Sequence, residues 1–358
     1  MTNHFILVIN PGSTSTKLAI YHNDKEAASE SASHSVEMLK SFAHIADQLD
    51  FRMKALDDFV ASSGIDPAQI DAVVGRGGLL RPIPGGVYAV NDAMLSDLKT
   101  GIYGEHASNL GGLLAHAWAS ARNIPAFIVD PVVVDEMEEV ARITGIPEIR
   151  RRSIFHALNQ KAVARAVAAK LGESYLALNL IVVHLGGGIS IGAHRKGRVI
   201  DVNNALDGDG PFTPERAGSV PAGQLVELCF SNEFDLNQMK KKLTGQGGLA
   251  AHLGSNDLRD IDARIDSGDA KAVQVFDAMV YAIAKWIGEM AVALKGEVDA
   301  IVLTGGMAKD SLLVQKLSSY ISWIAQIEIV PGENEMHALA LGCLRILMNE
   351  ETALQYPP

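Results

Sequence analysis

Four short apolar runs in this chain each break off into glycines or small hydroxyl residues, and their order is the same in both halves. Residues 5–9 run into Asn10-Pro11-Gly12-Ser13-Thr14-Ser15-Thr16, and residues 71–74 into Gly75-Arg76-Gly77-Gly78. Residues 180–183 run into His184-Leu185-Gly186-Gly187-Gly188, and residues 300–303 into Thr304-Gly305-Gly306-Met307-Ala308-Lys309. Short length and β-branched enrichment make these runs strands that end in tight turns. Helical spacing appears over 36–60, 108–122, 159–171, 270–294 and 311–325.

The first half opens with a strand, a turn and a second strand at 17–21. The second half opens with 180–185, a glycine turn, 189–194, a turn at Lys196-Gly197, and 199–202. Later, DAVVGRGG at 71–78 is echoed by DAIVLTGG at 299–306, each followed by a helix and a further strand, at 126–129 and 327–330. The pattern predicts an α/β protein of two duplicated domains with a cleft between them. The domains are expected over 1–175 and 176–336, with the closing segment 337–358 returning to the first. Each sheet is expected to have five mixed strands. A chain of 358 residues with 48% hydrophobic side chains has the length and apolar content for two such cores.

The formal net charge of −11 opposes general nucleic-acid binding. Lys240-Lys241-Lys242 reads as a solvated helix face. Cys229 and Cys343 are far apart and form no CxxC pair, which suits a reducing cytoplasm. The first apolar run enters a turn directly, unlike a signal peptide, and no apolar run has the length of a membrane span.

Glycine and hydroxyl turns at strand ends let backbone amides approach phosphate oxygens. Each such turn alone is weak evidence; three of them in this order carry more. NPGSTSTK lacks the Walker spacing and is followed by a strand, so it is not a P-loop.

The three turns resemble the first phosphate, second phosphate and adenosine motifs of the sugar kinase, Hsp70 and actin superfamily. NPGSTSTK, with Asn where an Asp is usual, resembles the acetate and butyrate kinases. GRGGLLRPIPGG at 75–86, GEHASNLGG at 104–112, VDPVVVDEM at 129–137, RRSIFHALNQK at 151–161, GPFTPERAGSVP at 210–221 and PGENEMHALALG at 331–342 extend the likeness along nearly the whole chain. Several of these forms are closer to butyrate kinase.

The resemblance implies ribonuclease H-like, actin-like ATPase domains, ATP/ADP and Mg²⁺ as cofactors, and a short-chain carboxylate as acceptor. It also implies a cytoplasmic homo-oligomer with a two-fold interface. It implies that His156 donates to the transferring phosphoryl, that Arg76 pairs with the acid, and that His106 shapes the acid pocket. Asn10, Gly12, Ser13, Thr14, Lys17, His184, Gly186, Gly187 and Gly188 would hold phosphates, and Gly305, Gly306, Met307 and Lys309 the adenosine. Asp130 and Glu335, with Asn10, would serve the metal, Asp130 acting in catalysis through it; Glu333 stays open as the alternative to Glu335. The family's second arginine lies several residues beyond its FTP motif. Here that stretch reads AGSVPAG, and Arg216 of FTPER is the nearest substitute.

A carboxylate is already ionised at neutral pH and needs no general base. Catalysis then rests on alignment and on neutralising the phosphoryl group. Two other readings of the same fold stay open, an Hsp70- or actin-like ATPase and a sugar kinase. The latter would need a carboxylate base for a hydroxyl acceptor.

Overall fold

The computed structural model describes residues 3–357, which form two compact units. The first comprises residues up to Val134 together with the segment from Asn334 onward; the second is Asp135–Glu333. In the second, β7 (Asn179–Leu185), β8 (Ile189–Arg195), β9 (Arg198–Val202), β10 (Ala300–Gly305) and β11 (Gln326–Pro331) form one sheet in the order β11-β10-β7-β8-β9. The hairpins β7–β8 and β8–β9 are antiparallel, whereas β10 is parallel to both β7 and β11.

The first unit holds β1 (Phe5–Pro11), β2 (Ser15–His22), β3 (Lys25–Ser33), β4 (Ile70–Arg76), β5 (Val87–Ala89), β6 (Ala126–Val129) and β12 (Leu354–Gln355). Their order is β12-β5-β6-β4-β1-β2-β3. Without the outer β12 and β5 this is β6-β4-β1-β2-β3, the order of the second sheet. The same neighbours are antiparallel and the same are parallel. The duplication read from the motifs is therefore present in the topology. The first sheet exceeds the expected five strands because β5 pairs antiparallel to β6 and β12 pairs parallel to β5.

The apolar runs are nearly continuous because helices cover both sheet faces. In β7, Ile181, Val183 and Leu185 join a core with Phe276, Ile283 and Ile287 of the helix Ala270–Ala293. Leu180 and Val182 point the other way, onto Val163, Ala164 and Val167 of the helix Ala157–Lys170. Burying each large aliphatic chain contributes about 1.5–3 kcal/mol.

That second helix corrects the expected boundary. It follows the first sheet in sequence yet packs on β7 and β10, so the change of unit falls at residues 134/135 and not near 175. The helix Glu335–Leu347 packs on β1, β4 and β6 of the first sheet, which makes the closing segment part of the first unit.

Two glycines fix β4 in place. A Cβ on Gly75 would lie 2.0 Å from the Gly111 carbonyl oxygen, and one on Gly111 2.1 Å from that of Arg76. The helix Asn109–Ser120 thus rests backbone to backbone on β4 and sets the height of Arg76 at its tip. The periodicity over 36–60 resolves into two short turns and the helix Leu49–Ser62, because Ser35 caps Met38 and the Asp47 carboxylate accepts from the His44 N–H. Lys240 and Lys241 are exposed on the helix Leu236–Thr244. Cys229 is exposed and Cys343 buried, both as free thiols. Among the described residues no helix is long and apolar enough to cross a membrane.

Candidate active site

In the first unit, functional side chains gather at the carboxyl ends of β1 and β4. Asn10 is buried, and its Nδ2 donates to Glu335 Oε2 at 2.9 Å. Arg76 Nη1 donates to the same oxygen at 2.8 Å. Glu335 opens the helix packed across these strands, where a carboxylate also meets the helix N-terminus favourably. Asn10 was read as a phosphate and metal contact and Arg76 as the partner of the acid. In this structure both hold Glu335, so Arg76 must exchange that partner, or share it, to bind a substrate carboxylate.

The alternative metal carboxylate, Glu333, lies in the second unit, with Oε1 3.5 Å from His184 Nε2. Asp130 follows β6 at φ 37, a left-handed conformation that costs a non-glycine residue energy and concentrates at functional positions. It is buried; its Oδ1 accepts from the Gly86 N–H at 2.7 Å and its own N–H donates to the Gly86 carbonyl at 3.0 Å. Among the described residues no three His, Cys, Asp or Glu side chains form a cage. Mg²⁺ does not need one, since it takes one or two carboxylates and keeps several waters. The oxygen donors Asp130 and Glu335 suit that hard ion.

His106 Nδ1 accepts from the Ser108 backbone N–H at 3.2 Å, so the neutral ring carries its proton on Nε2. Burial, and then the charge of Arg76, lower its pKa and keep it neutral. A pocket of about 370 Å³ beside it is lined by Val36, Leu39, Ile45, Ala107, Ser13 and Thr14. Lys17 is exposed and is the register partner of Asn10 across the β1–β2 hairpin.

Gly12 to Thr16 are shaped by a residue that the motifs did not disclose. Arg52 is 0% exposed, and its Nη1 donates to the carbonyls of Gly12 and Ser15 and to Thr16 Oγ1 at 2.9–3.0 Å. Gln48 Oε1 accepts from its Nε and Nη2. Burial lowers the Arg52 pKa to about 10, so it stays charged. A signal was available, because Arg52 shares the helical stripe of Leu56, Phe59 and Val60.

In the second unit, His156 immediately precedes the helix Ala157–Lys170, without a side-chain cap, and stacks on His184 with centroids 3.7 Å apart and planes 8° off parallel. His184 is the penultimate residue of β7. Asn159 Oδ1 lies 2.8 Å from its Nδ1, and Asn159 Nδ2 faces the carbonyls of Gly332 and Glu333. That orientation of the amide makes His184 Nδ1 the donor, so Nε2 of the neutral ring is a lone pair. His184 would therefore give a phosphate oxygen a hydrogen bond through Nε2 only when doubly protonated.

Next to His184 comes the turn Gly186-Gly187-Gly188. A Cβ on Gly188 would lie 2.5 Å from Arg216 Nη1, and one on Gly187 3.2 Å from Glu215 Oε1. The FTPER loop is fastened there by Thr213 Oγ1, which donates to the Gly187 carbonyl at 2.6 Å. Arg216 Nη1 donates to the Ala205 carbonyl, and its buried Nε has no partner. Burial lowers its pKa, against the neighbouring Glu215 charge. Arg216, the nearest substitute in the sequence for the family's second arginine, thus stands directly behind the second glycine turn.

Gly305, with φ 88, lets the chain leave β10 against the Leu185 backbone and enter the turn Gly306–Lys309. This turn borders a pocket of about 740 Å³ whose walls include Asn256, Leu258, Met307, Lys309 and Ser311. That volume is within the usual range for small-molecule sites. Asp262 on the same wall is pushed up to about 6 by burial and by Asp310.

Three solved structures share this fold. The acetate kinase of Porphyromonas gingivalis is 20% identical, with 96% of this chain and 100% of that chain covered at a TM-score of 0.78. The propionate kinase of Francisella tularensis subsp. tularensis SCHU S4 is 20% identical, over 95% and 98%, at 0.71. The acetate kinase of Entamoeba histolytica is 16% identical, over 94% and 98%, at 0.73. At such identities they show the fold alone, a mixed α/β fold with two sheets. A family-wide sequence profile described as the acetokinase family matches residues 142–340, more than half of the chain and the stretch that carries His156, His184, the triple-glycine turn, Arg216 and Glu335. The chain belongs to the acetokinase family.

Proposed function

We propose that this protein reversibly transfers the γ-phosphoryl group of ATP to a short-chain carboxylate, butyrate or a branched homologue, giving an acyl phosphate and ADP. The observation that carries the acid side is the neighbourhood of His106. A ring held neutral by burial and then by the Arg76 charge, a fixed Nε2–H donor, and a pocket where Val36, Leu39, Ile45 and Ala107 stand beside the polar Lys40, Gln48 and Glu105 suit a carboxylate with a short alkyl tail. Acetate would leave such a wall uncovered.

Arg76 binds the substrate carboxylate by taking it beside, or in place of, Glu335. The carboxylate attacks the γ-phosphorus in line, its lone pair forming the new P–O bond as the bond to the ADP oxygen breaks. The Gly186–Gly188 amides, Arg216 and the His156 ring donate to the phosphoryl oxygens, where charge spreads in the transition state. Asp130 and Glu335 would hold Mg²⁺, which neutralises phosphate charge when bound. Lys309 and the pocket at Gly306–Met307 take the adenosine. A hydroxyl acceptor would need a carboxylate base; the first motif offers Asn10 instead, which disfavours a sugar kinase and a water-activating ATPase. We further propose a cytoplasmic homo-oligomer with a two-fold interface; a stable monomer in light scattering would refute it.

The test is kcat/KM across acetate, propionate, butyrate, isobutyrate and 2-methylbutyrate, with glucose and no acceptor as controls. Each methylene is worth roughly 1–3 kcal/mol, or about 10- to 200-fold. Four- or five-carbon acids are expected to lead. Best use of acetate would refute the acyl preference. Equal turnover without any acid would refute the kinase reading.

A further inference from the structure

We propose that Tyr175, His194, Gln160 and Ser190 form a one-way hydrogen-bond relay that holds His156 in the tautomer with its proton on Nε2. The inference rests on the reading above, in which His156 donates to the transferring phosphoryl group. It assigns positioning roles to four residues to which the motifs gave none.

The direction of the relay is set by one backbone carbonyl. Gln160 Nε2 lies 3.0 Å from the Ser190 carbonyl oxygen and 2.8 Å from Ser190 Oγ. A carbonyl only accepts, so the Gln160 atom facing it must be the NH₂ group. Its two hydrogens go to Ser190 O and Ser190 Oγ. Gln160 Oε1 then faces His194 Nε2 at 2.9 Å, and that nitrogen must carry a hydrogen. His194 Nδ1, 2.8 Å from the Tyr175 hydroxyl, is left as the acceptor of the Tyr175 O–H. This requires a neutral His194. The residue is wholly buried, and burial together with the charges of Lys161 and Arg165 holds its pKa well below the usual histidine value.

At the other end, Ser190 Oγ accepts from Gln160 Nε2 and from the His156 backbone N–H at 3.4 Å, which uses both of its lone pairs, so its own hydrogen goes to His156 Nδ1 at 2.9 Å. His156 Nδ1 therefore accepts, and the proton resides on Nε2. Ser190, Gln160 and His194 are each 0% exposed and Tyr175 is 5% exposed, so water does not compete along the relay. Ser190 sits in β8 and Gln160 on the helix Ala157–Lys170, two elements that the sheet core holds rigid.

The opposite tautomer would aim a lone pair at phosphate oxygen, turning a donor into a repulsion. The stacked partner, His184, has the other tautomer, fixed through Asn159. Two parallel imidazoles thus carry complementary edges, and only the His156 edge is a donor in the neutral state.

Ring-nitrogen NMR of ¹⁵N-histidine-labelled protein, with His156→Gln to assign the signals, reads the tautomer without any turnover. The expected spectrum has His156 protonated at Nε2; protonation at Nδ1 overturns the relay. Kinetics give the second arm. Ser190→Ala is expected to lower kcat on the order of 10- to 100-fold, a part of what losing a transition-state donor costs. KM values for the acid and ATP should stay within roughly twofold, because ground-state binding is untouched. Ser190→Thr, which keeps the hydroxyl, should recover most of kcat. Circular dichroism verifies folding, and the wild-type spectrum stands even if a variant does not fold. A Ser190→Ala enzyme with wild-type kcat overturns the relay. A His156→Ala enzyme with wild-type kcat instead overturns the catalytic reading of His156, whatever its tautomer.

Discussion

Arg216→Ala should separate activity from stability. In the folded protein Arg216 gains one charge-assisted hydrogen bond, from Nη1 to the Ala205 carbonyl. Such a bond contributes about 1.5–3 kcal/mol. Against it stand a buried Nε with no partner and the desolvation that lowers the guanidinium pKa. An orphaned buried donor alone costs about 1–3 kcal/mol. The terms nearly cancel, so truncation should move Tm by no more than a few degrees. A phosphoryl oxygen would satisfy the orphaned donor only when substrate is bound, which is where the residue would recover its cost. Loss of that contact should lower kcat on the order of 10²–10³-fold, about 2.7–4 kcal/mol.

The assay is hydroxylamine trapping of the acyl phosphate, beside thermal melting followed by circular dichroism. Gly188→Ala is a milder form of the same perturbation, since its Cβ would lie 2.5 Å from Nη1 and push the guanidinium aside. A kcat within threefold of wild type for Arg216→Ala would sink the assignment. So would a large drop in Tm with activity kept, because Arg216 would then be a structural strut.

Three other outcomes follow from the geometry. Glu335→Gln keeps an acceptor for Arg76 and Asn10 but removes the charge; the Mg²⁺ concentration for half-maximal rate should rise and kcat should fall about tenfold, and an unchanged Mg²⁺ titration would refute a metal role. Arg52→Met leaves the Gly12 and Ser15 carbonyls and the Gln48 amide without their donor, so urea unfolding should show a loss of about 3–5 kcal/mol; a loss below 1 kcal/mol would mean that the loop holds its own shape. His194 has a folded pKa below its unfolded value of about 6.5, so the unfolded chain binds the extra proton. Its contribution is therefore complete above pH 6.5 and falls as pH drops, by about 1.4 kcal/mol per pH unit, and the urea stability of His194→Gln should lose that share of the slope between pH 7.5 and 5.5.

Much of the frame could be read from strand ends. The turns after β1, β7 and β10 were visible because glycines and hydroxyls interrupt apolar runs, and the helices 109–120, 157–170, 270–293 and 311–321 because their periodicity is long. The unit boundary was not legible. Val163, Ala164 and Val167 form an apolar face that would suit either sheet, and only packing decides that it covers β7 and β10. β5 and β12, of three and two residues, are too short to show a period. At the site, motif likeness singled out Arg76, His156, His184 and Arg216 but not their supports. Arg52, Gln160 and Ser190 look like ordinary polar residues until burial shows that each has its partners inside the protein. The pairing of Arg76 with Glu335 was hidden for another reason: the two are far apart in sequence and are joined only when the closing helix returns to the first sheet.

The duplicated topology shows why the two units offer different chemistry from equivalent positions. DAVVGRGG and DAIVLTGG align Arg76 with Thr304, and the penultimate residues of β1 and β7 align Asn10 with His184. In the second unit His184 and Thr304 are register partners; in the first, Asn10 and Arg76 each follow the paired residues Ile9 and Gly75. Across each pair lies the first turn of a packed helix, which brings Glu335 in one unit and Asn159 in the other. One set of three positions therefore holds amide, guanidinium and carboxylate, and the other imidazole, hydroxyl and amide. The first set balances charge within itself; the second is built of uncharged types that bond to one another and to the Gly332 carbonyl. In this frame Asn10 must not be an acid. Asn10→Asp would turn the 2.9 Å contact from Nδ2 to Glu335 Oε2 into two carboxylate oxygens facing each other. The lost hydrogen bond and the repulsion, screened at an effective dielectric near 20 and shared with Arg76, should together cost roughly 2–4 kcal/mol. Urea unfolding of the variant measures this, and Asn10→Ser, which adds no charge, is expected to lose less than half as much. Equal losses for the two would show that the amide acts by shape alone and that charge balance does not explain the asparagine.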